Sequence, residues 1–402
     1  MKKLAAVVAL LCVFGLGMSF ALLGALKLQL VPHLKIDDAQ FGALISYFML
    51  ACCVMSLIIG LLCDKWGYKP IAIIGFVATA ICIVLLATAT TYALAIMACI
   101  LLGIGAMCCN TAGNTLIPVV LFEGKNPAAA SNFGNVFFGL GLFITPLLTG
   151  YLFKKSPDSY TMNIVVLAII VLLPVIVALV AEYPTSSAGF QFSQGASLLG
   201  QVAVLVAGIT LFLYIALEVS VTGWVSSYGA EVIKKATPNM AKEAIDAKAN
   251  YMMSVFAIAM MVGRLIASQI GAITRVGDKV IALMALIAAV VMFAMTKTAS
   301  VPVAWVTAAL IGLACAPCFP TIVGVTFSKF NPKVYGSIFG IIFAIGLLGA
   351  VILPNVIGKL AQRAGGSVQA GLGVLIGVSV ILIFLALILG AVKASGDVAA
   401  QK

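Results

Sequence analysis

Charge is what this sequence has least of. Of its 402 residues, 9% are Asp, Glu, Lys or Arg, against about 25% in a water-soluble domain. A chain so poor in polar surface cannot cover itself in water, so the two or three soluble domains its length would suggest are excluded. Alternating apolar and polar residues are missing too, which argues against a membrane barrel. Loop cysteines are also missing. Cys12, Cys52, Cys53, Cys63, Cys82, Cys99, Cys108, Cys109, Cys315 and Cys318 all lie in or at the ends of apolar runs, so no disulfide framework is expected. Cys315 and Cys318 have redox-motif spacing but sit inside a run and read as span residues. The single histidine, His33, falls between runs and is not expected to relay protons. No Gly-rich phosphate loop occurs, since Gly103 and Gly105 lie mid-run without a lysine. Neither a nucleotide nor another cofactor is expected, and one histidine with buried thiols supplies no enzyme chemistry. Energy for any work should come from an ion gradient or a second solute.

What is present is apolar surface: 63% of residues are hydrophobic and the mean hydropathy is +1.23. Runs longer than about 18 residues read as helices crossing a bilayer. The net charge of +11 comes from bases scattered over short loops, with no stripe suited to nucleic acid. The lysines at Lys2 and Lys3 before an apolar stretch mimic a signal peptide, but that stretch runs to about Leu30 and reads as the first span. Twelve spans are expected near 5–30, 40–62, 71–90, 92–118, 128–152, 161–181, 198–224, 250–273, 280–297, 301–326, 334–358 and 368–391. Longer connections are expected at Val31–Ala39, at Glu182–Ser197 and at Ser226–Ala249, the last as a solvated loop.

The halves repeat. Lys65, Gly67 and Lys69 correspond to Arg275, Gly277 and Lys279; Gly103 corresponds to Gly312; Pro146 and Gly150 correspond to Pro354 and Gly358, all at offsets of 208–210 residues. The expected fold class is therefore an all-α membrane protein with twelve transmembrane helices in two pseudo-symmetric six-helix bundles, 1–182 and 198–402, joined by a short cytoplasmic linker at 183–197. A six-plus-six duplication around a midplane site is a transporter architecture. Bases divide almost evenly between the two sides, so the positive-inside rule barely orients the chain.

Gly60-Leu61-Leu62-Cys63-Asp64-Lys65-Trp66-Gly67-Tyr68-Lys69 joins spans two and three. A glycine allows close helix approach, an acid can meet an exposed helix end, and bases anchor a turn at the lipid surface. These parts suit a latch made of Gly60, Asp64, Lys65, Gly67 and Lys69. The stretch resembles the G-x-L-x-D-(R/K)-x-G-x-(R/K) loop of the major facilitator superfamily, a cytoplasmic feature there, and the likeness extends over the whole chain. The second copy departs from the pattern, with Thr274 where the acid should be. Within that superfamily, Tyr214-x3-Glu218-x5-Trp224-x3-Tyr228, Asn110 and Asn114 beside Gly103 and Gly105, Asn132 to Gly141, Gly263-Arg264, Pro317 and Pro320 resemble the fucose–proton symporter branch and its sugar-carrying relatives. Span one has no carboxylate, which some symporters of that branch use for coupling.

Glu218 is the one acid well inside a span, where a charge costs about 2.5–3.5 kcal/mol on insertion scales. It is a candidate to carry a proton, hold a cation or accept hydrogen bonds from a solute, or else to link helices. Arg264 is the one mid-span arginine and could neutralise Glu218, bind an anion or brace helix ends. Tyr214 shares a helix face with Glu218. Trp224 and Tyr228 could stack on a sugar ring or form an interfacial belt. Asn110, Asn114, Asn132 and Asn135 are amides in apolar surroundings that must find partners, in a solvated cavity or on a neighbouring helix. Lys27 can snorkel to the headgroups or meet a substrate.

These observations lead to an expected secondary active transporter. It would move a small polar solute, foremost a sugar, by alternating access in which two bundles rock, with proton or sodium coupling. An organic anion carrier or exchanger is the alternative, favoured by Arg264 and Lys27, and a drug or lipid exporter comes third. The expected partners are the small-molecule substrate, a coupling ion and the lipid bilayer. The expected setting is a monomer in a bacterial inner membrane with both termini cytoplasmic.

Overall fold

The computed structural model describes residues 2–156, 159–184 and 197–393. Its helices are α1 (Lys2–Leu34), α2 (Asp38–Trp66), α3 (Tyr68–Thr88), α4 (Tyr92–Val120), α5 (Pro127–Lys155), α6 (Tyr160–Leu172), α7 (Pro174–Val180), α8 (Val202–Ala236), α9 (Lys242–Ser268), α10 (Gly277–Lys297), α11 (Val301–Cys315), α12 (Cys318–Phe327), α13 (Tyr335–Arg363), α14 (Val368–Leu372) and α15 (Val374–Ala391). Among the described residues these give twelve segments long and apolar enough to cross a membrane. Three of the twelve are each made of two helices: α6 with α7, α11 with α12, and α14 with α15. The linker expected at 183–197 falls largely on residues 185–196, outside the described residues.

Local chemistry sets the ends. The Asp37 carboxylate accepts from the Gln40 amide at 2.7 Å while the Gln40 side chain accepts from Asp37 N at 3.1 Å, a reciprocal cap that starts α2. Gly67, at φ 84°, ends α2 in a conformation that a side chain would strain.

Two expected loops are corrected. Residues 226–236 continue α8, and α9 begins at Lys242, so the connection is much shorter than the expected Ser226–Ala249. The stretch is amphipathic rather than apolar. Val225, Tyr228, Gly229, Val232 and Ile233 are buried along one stripe, while Glu231 and Lys235 pair at 2.6 Å on the other side. A search for apolar runs ends such a helix too early. Likewise α1 runs to Leu34, so His33 lies in its last turn rather than in a loop. There its Nε2 lies 3.1 Å from the Ala89 carbonyl and its ring stacks on Tyr160 at 3.9 Å.

The chain forms two compact units. The first comprises residues 1–125, 134–198 and 331–341, the second 126–133, 199–330 and 342–402. In the first, α4 packs on α1, α2 and α3, and α3 on α6. In the second, α11 packs on α9 and α10 on α15, the corresponding pairs of the repeat. The glycines marked by that repeat explain the likeness. A Cβ on Gly103 would meet the Phe48 carbonyl of α2 at 2.9 Å, and one on Gly312 would strike the Phe256 carbonyl of α9. Phe48 and Phe256 are themselves 208 residues apart, so each unit builds the same close helix crossing at the same register.

Candidate functional site

In the second unit, α8 carries Tyr214 and Glu218 one turn apart, and α9 carries Arg264. Span ten breaks between α11 and α12 because Pro317 and Pro320 lack the amide hydrogens that the Leu313 and Ala316 carbonyls would take in a continuous helix. The break leaves carbonyls for other donors. Arg264 Nε donates to Ala316 O at 3.3 Å, and the Tyr214 hydroxyl donates to Cys315 O at 2.9 Å. Arg264 Nη2 lies 3.2 Å from Glu218 Oε1, with the arginine side chain 3% exposed and the glutamate 18%. The long guanidinium stem spans the difference in depth that their sequence positions imply. A buried guanidinium cannot shed its proton, so the carboxylate and the freed carbonyl together make its burial tolerable. The glutamate is the more exposed partner of the two.

The first unit carries a separate polar group. Asn114 Nδ2 donates to Asn110 Oδ1 at 2.8 Å, and Asn135 Nδ2 on α5 donates to Asn114 Oδ1 at 3.0 Å. All three amides are buried. Asn110 stands at the end of this relay. Its own Nδ2 reaches the Met107 sulfur, at 3.8 Å, and a thioether is a weak acceptor. Beside it, the buried Thr111 hydroxyl has no partner among the described residues.

Other sequence candidates go elsewhere. Asn132 does not join the relay. It belongs to the second unit, where its Nδ2 donates to Ala128 O at 2.9 Å and to the Thr321 hydroxyl at 3.0 Å, while its buried Oδ1 has no partner among the described residues. Tyr228 is fully buried, its hydroxyl 3.3 Å from that of Thr307, which removes it from a lipid-facing belt. Trp224 is half-buried beside Gly358. Lys27, in the first unit, lies 5.5 Å from the centre of the Phe41 ring.

Of the residues expected to form a latch, Asp64 finds its partners within the first unit. Asp64 is buried and accepts from Gly336 N at 2.8 Å, Ser337 N at 2.6 Å and the Ser337 hydroxyl. Gly336 and Ser337 open α13, so the carboxylate meets unpaired amides and the positive end of a helix dipole. Gly60 lets α2 pass α13 so closely that a Cβ would strike the Gly336 carbonyl. Lys69 donates to the Leu179 carbonyl at 2.6 Å and braces the end of α7. Lys65 is exposed.

A sequence profile described as the Major Facilitator Superfamily matches residues 9–354. The chain belongs to this superfamily. It is a membrane transporter, and the superfamily is one of transporters rather than enzymes. No curated protein matches it in a sequence comparison. Its fold is similar to that of the E. coli fucose:proton symporter FucP (TM-score 0.76, 21% identity, 95% of this chain and 98% of that one). It is also similar to a proton:xylose symporter bound to 6-bromo-6-deoxy-D-glucose (TM-score 0.72, 14% identity, 100% and 98%). The third likeness is to the human organic anion transporter TETRAN (TM-score 0.71, 17% identity, 96% and 99%).

Several parts of this major facilitator were not foreseen from its sequence. Thr274, which stands where the second latch should have its acid, still meets a helix start. It accepts from Ala128 N at 3.0 Å, and its hydroxyl donates to Asn126 Oδ1, at the opening of α5. A neutral hydroxyl thus occupies the register that Asp64 occupies in the other repeat. Ser337, Thr321 and the Ala316 carbonyl were likewise unmarked. The two prolines of span ten were the signal for the last of these.

Proposed function

We propose that this major facilitator is a secondary active carrier of a small neutral polar solute, foremost a sugar, working by alternating access with proton or sodium coupling at Glu218. One observation carries the reading: the single mid-span carboxylate is half-sheltered and tied to Arg264, which also holds a carbonyl freed by a broken helix. Arg264 already faces a carboxylate, so the pair as a whole offers an anion no net charge. A proton or cation arriving at Glu218 would loosen its hold on Arg264, and Arg264 in turn touches the break in span ten. That chain of contacts would let an ion bias a helix shift. Hydroxyl recognition is assigned to the asparagine relay, where the Asn110 amide has donor capacity left over, and Tyr214 is assigned the role of holding the break. The similarity in fold to sugar symporters supports the substrate class. The two six-helix bundles are assigned to 1–182 and 198–402, and the protein to a bacterial inner membrane as a monomer with both termini cytoplasmic.

The rival is an organic anion carrier, favoured by the deep burial of Arg264 and by the similarity in fold to a transporter of organic anions. Counterflow in liposomes separates them, using labelled monosaccharides and small organic anions with and without a proton or sodium gradient. The expected result is saturable monosaccharide counterflow that survives Glu218→Gln, with gradient-driven accumulation lost in that variant. Anion exchange that fails in Arg264→Ala but survives Glu218→Gln would replace the sugar reading with the rival.

A further inference from the structure

Apart from the two polar clusters, the second unit has a cleft of about 440 Å³ among the ends of α8, α10 and the α14–α15 span. Counting spans from the N-terminus puts this end on the face of the membrane away from the termini, because spans seven and nine finish there and span twelve begins there. The cleft is lined by Lys235, Lys297, Thr296, Ser367, Phe293 and Ile376, among others.

Its polar wall is a built framework. Glu231 accepts from the Ser367 hydroxyl at 2.8 Å, from Gln369 N at 3.0 Å and from Lys235 Nζ at 2.6 Å. Lys235 also donates to Gln369 Oε1 at 2.8 Å. Gln369, itself buried, donates to the carbonyls of Met295 and Thr298 at 2.9 and 2.7 Å and so fastens span twelve to the end of α10. Lys235 is therefore held in place with its charge balanced by Glu231. Lys297 is different. It is exposed and faces no carboxylate among the described residues, and its ammonium lies 6.0 Å from the centre of the exposed Phe293 ring. The cleft thus carries two lysines against one glutamate.

Depth orders the chemistry. Phe293 lies one turn below Lys297, and Ile376 lies about 13 Å below Ser367 along the span, at 1.5 Å per residue. A ligand that fills this cleft meets cations and hydroxyls at the rim and an aromatic and an aliphatic wall beneath. We propose that the cleft binds an anionic glycerophospholipid of the surrounding leaflet, its phosphodiester between Lys297 and Lys235 beside the Thr296 hydroxyl, and an acyl chain along Phe293 and Ile376. A free phosphate would leave the apolar wall unused, and a zwitterionic lipid would bring its own cation to a cationic rim. This site is independent of the transported solute and of Glu218.

The test uses the full-length protein in detergent and reads thermal unfolding with added dioleoyl-phosphatidylglycerol, dioleoyl-phosphatidylcholine or inorganic phosphate. Phosphatidylglycerol is expected to raise the midpoint roughly 2–4 °C above phosphatidylcholine, with inorganic phosphate giving no rise. Lys297→Glu should abolish that difference while leaving the midpoint in phosphatidylcholine unchanged. Lys359→Glu, which reverses a charge outside the cleft, should keep it. An unchanged phosphatidylglycerol effect in Lys297→Glu, an equal loss in Lys359→Glu, or an equal rise with inorganic phosphate would each overturn the assignment.

Discussion

Charge balance at the Glu218–Arg264 pair makes an asymmetric prediction. The two partners are not equally able to survive alone. Arg264 is the deeper, at 3% side-chain exposure against 18% for Glu218, and a guanidinium stays charged at any pH the protein meets. In Glu218→Gln the cation keeps Ala316 O and faces an amide, so it remains buried without the carboxylate that balanced it. Breaking a buried pair in this way costs about 3–5 kcal/mol. In Arg264→Gln the orphan is a carboxylate less deeply buried than the arginine, which reduces the penalty to about 1–3 kcal/mol. The double variant Glu218→Gln/Arg264→Gln carries two amides that can bond to each other and strands no charge. It should be more stable than Glu218→Gln alone. A coupling of at least about 2.5 kcal/mol follows, near or above the top of the range of about 0.5–3 kcal/mol measured for contacting residues. With roughly 2–4 °C per kcal/mol for a unit of some 200 residues, Glu218→Gln should lower the unfolding midpoint by about 6–20 °C. The double variant should recover at least half of that loss. Equal midpoints for the two single variants, or a double variant that falls by the sum of both, would show that the charges do not stabilise each other and would refute the reasoning.

Two further outcomes follow from helix ends and helix breaks. Asp64→Asn keeps one acceptor oxygen for Gly336 and Ser337 but turns a donor toward the other amide and removes the charge at the start of α13. It should destabilise the protein by about 2–4 kcal/mol, whereas Thr274→Val, which removes a neutral cap, should cost about 1 kcal/mol; thermal unfolding that ranks Thr274→Val first would contradict this. Pro320→Ala restores an amide hydrogen for Ala316 O in competition with Arg264. The variant should gain about 1–3 kcal/mol in stability as one of the two missing bonds of span ten returns yet transport at least tenfold more slowly in counterflow, and unchanged transport with higher stability would remove the break from the mechanism.

Most of the architecture was legible because the bilayer enforces it. A span has to be apolar over its whole length, so composition alone reports its presence. A duplicated chain has to bring the same helices together twice, so Gly103 and Gly312 mark the same crossing in each repeat. What composition cannot report is an amphipathic extension such as 226–236, whose buried stripe is diluted by Glu231 and Lys235, and that is where the expected loop failed. The site divides along the same line. Residues whose mere presence in lipid is costly (Glu218, Arg264 and the asparagines) could be picked out from the sequence. Which of the possible partners each one takes across helices could not, because depths on different helices are fixed by residue counting only to within a side chain's reach.

Thr274 shows this limit most sharply. Beside the first repeat, it stands where the acid should be, so that any second latch would lack its carboxylate. The structure gives it the same task as Asp64, meeting the first amides of a helix, without the charge. A carboxylate and a hydroxyl at equivalent positions hold their helix ends with different strength. Under the alternating access proposed above, the two contacts, which span counting puts on the same face of the membrane, need not part equally easily. Sequence symmetry predicts that both contacts exist, and the departure from symmetry at residue 274 predicts which of them yields first.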